Sequence, residues 1–382
     1  MDNDDLNVIA EGIRGFINTE LLPHEDVVER EDCVPAELFR HIQKRALDAG
    51  YYALNMPEEY GGAGLNSRER AVAEIEFGRV SRALGVICNR PAPILKFCQG
   101  DQIETYLRPT ISDERWECFA LTEPGAGSDA RAILTAARRD GDDYIIDGTK
   151  QFITMAMVAD FIIVFAVTGV DETANGEKRK RITAFLVDKD LPGVAVHPLD
   201  VVSNRGMKSC TISFTDVRVP ARNILGSEGG GFRLAKNWIF SGRVMLAANC
   251  IGVAERAFRI AAEWANMRKA FGHPIGHFQG VSFKLADMAR DIHASHLLVS
   301  DAAGRMDEGT ISQKDASIVN LFVTEMVGRV TDEAIQILGG MGLSKEMPLE
   351  RLWRDARVER IWEGTSEIHR DIIAKAVLRE HG

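Results

Sequence analysis

Glu363 stands between Trp362 and Gly364 in the run Arg357–Arg370, RVERIWEGTSEIHR, after a helical stretch and before a new helix start at Thr365–Ser366. A carboxylate beside a large aromatic and a glycine is open to desolvation, which raises its pKa toward that of a useful general base. The competing reading is an exposed glutamate between two helices. Three glycine-bearing segments accompany it. Leu121–Asp129, LTEPGAGSD, follows the apolar stretch Cys118–Leu121, and its Gly125 and Gly127 let backbone N–H groups approach a phosphate or a flavin edge, or, on glycine content alone, make a plain turn. Gln336–Leu343, QILGGMGL, ends a long apolar helix; a helix stop explains one glycine, and three invite a close backbone approach. Arg268–Gln279, RKAFGHPIGHFQ, offers an Arg and a Gln for phosphate or amide recognition, or is a Gly-Pro loop between helices.

Gly125, Gly127 and Ala130 also fit G-x-G-x-x-A, so a dinucleotide-binding βαβ unit has to be weighed. Such a unit needs a following helix and a further buried strand within about 30 residues. Here an Arg-rich segment runs into DGDDY and antiparallel-looking strands follow, which argues against it. Composition closes off other classes. A net charge of −10 over 382 residues argues against a nucleic-acid footprint, which would need a basic stripe. Six scattered cysteines without a C-x-x-C pair read as reduced and cytoplasmic. The single H-x-x-x-H, His273 and His277, encloses Pro274 and Gly276, which resist the helix a metal pair would need. The acidic Met1–Asp5 start reads as neither a secretory nor a mitochondrial signal, and no stretch of about 18 apolar residues predicts a membrane span.

The elements that must position these residues come in three blocks. Residues 1–117 read as helices, with apolar three- and four-residue steps in Ala36–Leu47 and Ala71–Leu84 and a turn cluster at Pro57–Gly64. Residues 118–228 carry short β-branched and aromatic runs at Tyr144–Ile146, Phe161–Val167, Ile182–Val187, Val194–Val196 and Thr211–Val219, which suggest a barrel or sandwich. Residues 229–382 return to the helical period over Arg243–Met267, Gly280–Asp307, Ser312–Leu338 and Ser366–Arg379. The expected fold is multidomain α+β.

Taken together, TEPGAGSD, FIT at Phe152–Thr154, DVRVPARNILG at Asp216–Gly226, RKAFGHPIGHFQ, QILGGMGL and RDARVERIWEGTSEI resemble the motifs of the acyl-CoA dehydrogenase family, in the family's order and over nearly the whole chain. The resemblance implies an N-terminal helical domain, a central β domain, a C-terminal four-helix bundle, noncovalent FAD and a homotetramer or homodimer. Carried over by position, Phe119, Leu121 and Thr122 face the flavin ring, with Gly127 and Ser128 beside them. Phe152 packs on the ring, and Ile153 and Thr154 lie near its N5. Arg268, Phe271, Phe278 and Gln279 surround the FAD pyrophosphate and adenosine. Gln336, Ile337, Gly339 and Gly340 approach the FAD of a neighbouring subunit, and Thr365 and Glu367 complete that site. Ser128, Arg243 and Gly364 match positions against the acyl-CoA.

By the same resemblance Glu363 is the base. A minority of the family carries it just before the arginine matching Arg243, where this chain has Gly242. The reaction implied is α,β-dehydrogenation of an acyl-CoA thioester to the trans-2-enoyl-CoA. Glu363 takes the α-proton, a hydride passes to flavin N5, and electrons leave to electron-transfer flavoprotein. A flavin oxidase or monooxygenase, or a non-catalytic acyl-CoA-binding homologue, are the alternatives on the same scaffold. Phe152 replaces the commoner Trp, Trp362 a Tyr, and Met155–Ala156 an Asn-Gly pair. LWRDARVER also resembles the crotonobetainyl-CoA branch, which lacks the carboxylate found here at Glu363. In Val86–Leu95, by resemblance near the acyl end of the pocket, Arg90 is a candidate for pairing with a polar or carboxylate acyl tail; otherwise it turns to solvent or pairs locally.

Overall fold

A computed structural model of the chain describes residues 3–88, 91–172 and 175–382. The first block is helical: α1 (Asn3–Phe16), α2 (Glu25–Glu31), α3 (Ala36–Asp48), α4 (Ser67–Phe77), α5 (Arg82–Cys88) and α6 (Arg108–Ile111). A capping box starts α4, in which the Asn66 side chain accepts from Glu69 N–H while Glu69 accepts from Asn66 N–H. The apolar period over Ala71–Leu84 reads as one helix, yet the chain breaks between α4 and α5. The break is tertiary. A Cβ on Gly78 would stand 2.0 Å from the Asn249 carbonyl oxygen of a later helix, so the chain crosses that helix backbone to backbone and turns away.

The second block is one eight-stranded sheet made of β1 (Glu117–Ala120), β2 (Ala136–Asp140), β3 (Asp143–Thr154), β4 (Phe161–Glu172), β5 (Lys178–Asp188), β6 (Val194–Pro198), β7 (Ser209–Pro220) and β8 (Ile224–Leu225). Its order is β6-β7-β3-β2-β4-β5-β8, with β1 paired in parallel to β4. Sequence periodicity misses β2, AARRD, because only Ala137 of its five residues is buried and the charged remainder hides the strand. Between Lys150 and Ile153 the register of β3 against β7 shifts by one residue, a bulge that holds Phe152 at φ 59° and turns its ring outward.

The third block opens with α7 (Gly231–Met267), a 37-residue helix. A small hairpin, β9 (Lys269–Ala270) with β10 (His273–Pro274), leads into α8 (Gln279–Asp307). Then follow α9 (Gln313–Leu338), α10 (Leu349–Ala356) and α11 (Ser366–His381). Alanines 247, 248, 254, 257, 261 and 265 line the buried side of α7 and admit its neighbours closely. Helical, sheet and helical blocks in this order are the architecture the sequence predicts. Trp362 packs partly buried against both the N-terminal core and the bundle core, so the turn it begins lies where the two meet.

Candidate active site

The Glu363 turn is left-handed at two successive residues, φ 52° at Glu363 and 106° at Gly364. The first is strained for a side chain with a Cβ and persists only where surrounding contacts over-determine it. Two such contacts stand on either side. Arg243 of α7, itself buried, donates through Nε to the Glu363 carbonyl oxygen at 3.2 Å and through Nη1 to Gln313 at 3.1 Å. The Thr365 side chain then caps α11 by accepting from Ile368 N–H. Thr365, expected at a flavin site, thus has its hydroxyl engaged in the helix cap.

The carboxylate so presented has a particular environment. Parts of the residue are accessible, but Oε2 is sealed from solvent and has no hydrogen-bond partner. Burial pushes its pKa up to about 7, against the opposing positive charges of Arg243 and Arg82, with Glu359 adding to the rise. Gly242 lies directly against it: a Cβ there would come 3.1 Å from Oε2. A side chain at the position used by the minority of the family would therefore point at the same spot.

Four residues upstream the arrangement is different. Glu359 is buried and fully engaged, accepting from Arg82 of α5 at 2.9 Å and from Trp362 Nε1 at 2.7 Å. The Arg82 guanidinium also sits 4.8 Å from the Trp362 ring centre. Periodicity offers no signal for this pair, since Arg82 and Glu359 lie at opposite ends of the chain.

The sheet supplies the facing wall. In Leu121–Asp129, Glu123 and Ala126 exchange backbone hydrogen bonds across a tight turn. The turn is braced from below by Lys150, fully buried, whose Nζ reaches Leu121 O at 3.0 Å and Glu123 Oε1 at 2.8 Å. Burial pulls Lys150 down to about 8, while hydrogen bonds from Leu134 N–H and Lys150 outweigh burial and hold Glu123 below its usual range. Sequence reading overlooks this pair because the lysine sits in a strand and its partner in a glycine-rich loop. Thr122 O accepts from Gln151 N–H, which ties the loop to the bulge that carries Phe152, 58% exposed. The Ile153 side chain belongs to the sheet core. Phe119 packs its ring edge-on against Trp238 of α7 at 3.8 Å. Trp238 and Gly242 are four residues apart, one turn and ~6 Å along the same face of α7. That helix face therefore carries both the contact with Phe119 and the Gly242 backbone that lies against the Glu363 carboxylate.

The remaining candidates lie elsewhere in the chain. Arg268 caps the end of α7 with an exposed side chain; Phe271 is 93% exposed with its ring 6.0 Å from Phe278, and Gln279 is exposed at the start of α8. Gln336, Gly339 and Gly340 are exposed at the end of α9, while the Ile337 side chain belongs to the bundle core. Ser128 and Glu367 are exposed. Among the described residues no hydrogen bond or ring contact joins the 268–279 or 336–340 segments to the Glu363 turn. Arg90 lies outside the described residues.

The chain belongs to the acyl-CoA dehydrogenase family. Its N-terminal, middle and C-terminal domain models match residues 3–114, 118–217 and 229–378. The chain is similar to the 3-(aryl)acrylate reductase of Clostridium sporogenes (strain ATCC 15579), 39% identical over 96% of both chains. It is 38% identical to the mitochondrial short-chain specific acyl-CoA dehydrogenase of Homo sapiens, over 98% of this chain and 90% of the relative. A solved acyl-CoA dehydrogenase from Bacillus anthracis, complexed with FAD, aligns with a TM-score of 0.88 at 30% identity, covering 100% of this chain and 68% of that one. The chain is thus an oxidoreductase whose cofactor is FAD. Its residues fit the group. Gly125, Gly127 and Gly340 have no left-handed φ, and a Cβ on any of them would meet nothing of this chain within 4 Å. That open space leaves room for a ring or phosphate to lie against the backbone. Among the described residues no helix is long and apolar enough to cross a membrane.

Proposed function

We propose that the chain catalyses FAD-dependent α,β-dehydrogenation of an acyl-CoA thioester, with Glu363 as the base that takes the α-proton. The observation that carries this reading is the Glu363 carboxylate itself, whose Oε2 is sealed and unpartnered and whose pKa burial raises to about 7. A group held there is deprotonated in useful amount at neutral pH and still basic enough to accept a proton from a weak carbon acid. The Glu363 N–H, fixed by the left-handed turn, is the donor we assign to the thioester oxygen as enolate charge develops. Arg243 keeps that turn in place and offsets part of the cost of ionising the carboxylate. FAD, when bound, supplies the hydride-accepting chemistry. Run in reverse, the protonated carboxyl returns a proton to the α-carbon, the sense of the reaction that the Clostridium sporogenes relative's name describes.

The substrate is proposed only as an acyl-CoA, with Ser128, Arg243 and Gly364 along it, and electron-transfer flavoprotein as the acceptor. We further propose a homo-oligomer, tetramer or dimer, in which the exposed Phe271 and the Gln336–Gly340 segment meet a second subunit; family membership and the exposure of Phe271 support it. The cytoplasm is the proposed compartment. The test is anaerobic bleaching of the flavin by a panel of acyl-CoAs, for wild type and Glu363→Gln. Glu363→Gln should hold FAD and bind acyl-CoA but bleach about 10²–10⁴-fold more slowly. Bleaching close to wild type would place the base elsewhere.

A further inference from the structure

The residue behind the Glu363 turn is His369 of α11. It is 1% exposed, and neither ring nitrogen makes a hydrogen bond. A neutral imidazole carries one N–H donor and one acceptor, and leaving both unused in a buried position is costly. An apolar side chain would fill the same space without that cost, so the imidazole calls for a reason.

Its surroundings give one. A Cβ on Gly364 would stand 3.3 Å from His369 Nε2 and 3.5 Å from Arg243 Nη2. Imidazole and guanidinium thus form the floor on which the left-handed Gly364 rests, and a Cβ at 364 would press on the imidazole and be strained by the positive φ. The Gly364 carbonyl faces the imidazole but falls short of a well-formed hydrogen bond with it. The charged groups that act on Glu363 are Arg243 from α7, Arg82 from α5 and Glu359 from the turn before Ile361. From α11, His369 is set against this floor. Burial first, and the Arg243 charge second, push the imidazole down to about 4, so it stays uncharged where a cation would repel Arg243.

We propose that His369 is a positioning residue of this site, which with Arg243 clamps the two-residue left-handed turn from behind, its N–H closing on the Gly364 carbonyl when substrate fills the front. Arg243 holds the first carbonyl of the turn, Glu363 O, and His369 takes the second. Without it the turn relaxes, the carboxylate swings toward water, and the base is lost as a desolvated group although the glutamate remains. The proposal rests on Glu363 being the base, and its test separates the two ideas.

The variants are His369→Leu and His369→Gln in the FAD-loaded enzyme, with His369→Met as a second apolar replacement should Leu fold poorly. Leu removes two unsatisfied polar atoms, so its thermal midpoint should equal or exceed that of wild type. Its limiting rate of anaerobic bleaching should fall about 10-fold or more, as expected when a reacting group loses its geometry. Acyl-CoA affinity should change far less, and the acid limb of the pH–rate profile should move below its wild-type position as the carboxylate regains solvent. Gln keeps an N–H donor at similar reach and should restore most of the rate and the limb. An apolar variant with wild-type rate and limb would overturn the proposal, since the ring would then only fill space. A Gln variant as slow as Leu would overturn it equally. Failure of the base assignment reads out separately, as near-wild-type bleaching by Glu363→Gln.

Discussion

Glu359 and Glu363 are two carboxylates one helical turn apart on the same stretch of chain, with opposite fates. Glu359 is buried with every oxygen engaged, by Arg82 and by the Trp362 indole. Glu363 presents an oxygen that is buried and engaged by nothing. A buried charge with a full set of partners is part of the structure, and removing one partner strands the other. A buried carboxyl without partners carries an unrelieved desolvation cost, which is what keeps it reactive near neutral pH. Trp362 stands between the two: its ring packs against both cores at the start of the turn, and its N–H is held by the structural carboxylate. The chemistry of the second glutamate therefore depends on the first without any direct bond between them.

Breaking the structural member should have the larger energetic effect. Glu359→Ala leaves Arg82 buried without its carboxylate and Trp362 Nε1 without its acceptor, and should destabilise the fold by about 3–5 kcal/mol. Denaturant unfolding measures this, and a loss below ~1 kcal/mol would mean that Arg82 finds another partner or water.

Removing the other carboxylate should stabilise instead. The folded pKa of Glu363 lies above its ordinary value of 4.5, at about 7. The folded state therefore holds the proton more tightly than the unfolded state. That stabilisation is complete below pH 4.5 and is lost as pH rises through about 7. Glu363→Gln, which never ionises, should match wild type below that window and exceed it by roughly 1–3 kcal/mol at pH 8, the lower part of this range reflecting the residue's partial exposure. Equal stability at pH 8 would mean that the carboxylate ionises without penalty and that the contrast with Glu359 is not real.

Much of this site is legible in the chain itself, for reasons of unequal kind. The Trp-Glu-Gly context permits desolvation but fits an exposed glutamate equally, and it is the resemblance to the family that singles Glu363 out. The long helices are legible because their apolar period is long, as in Gln313–Leu338. Strand β2 is not, because its pairing with β3 and β4 is made by backbone alone and its side chains mostly face water. The break between α4 and α5 is written in Gly78 only once Asn249 is known to lie against it. Lys150 under the Glu123 turn, Arg82 on Glu359 and His369 behind Gly364 are long-range or back-side contacts between residues that look unremarked in sequence. Each supports a motif from outside it. The motif residues are legible through their joint resemblance to the family; their supports become visible only when the chain is folded.

The central claim is that Glu363 is a desolvated, unpartnered base. The most direct measurement is the pH dependence of flavin bleaching by a good acyl-CoA, followed anaerobically in a stopped-flow instrument at substrate concentrations well below saturation, where the free enzyme's ionisation governs the rate. The rate should rise with pH through a single ionisation close to pH 7, the value burial gives Glu363. A limb near 4.5, the ordinary value for a glutamate, or a flat profile across the neutral range, would contradict the account.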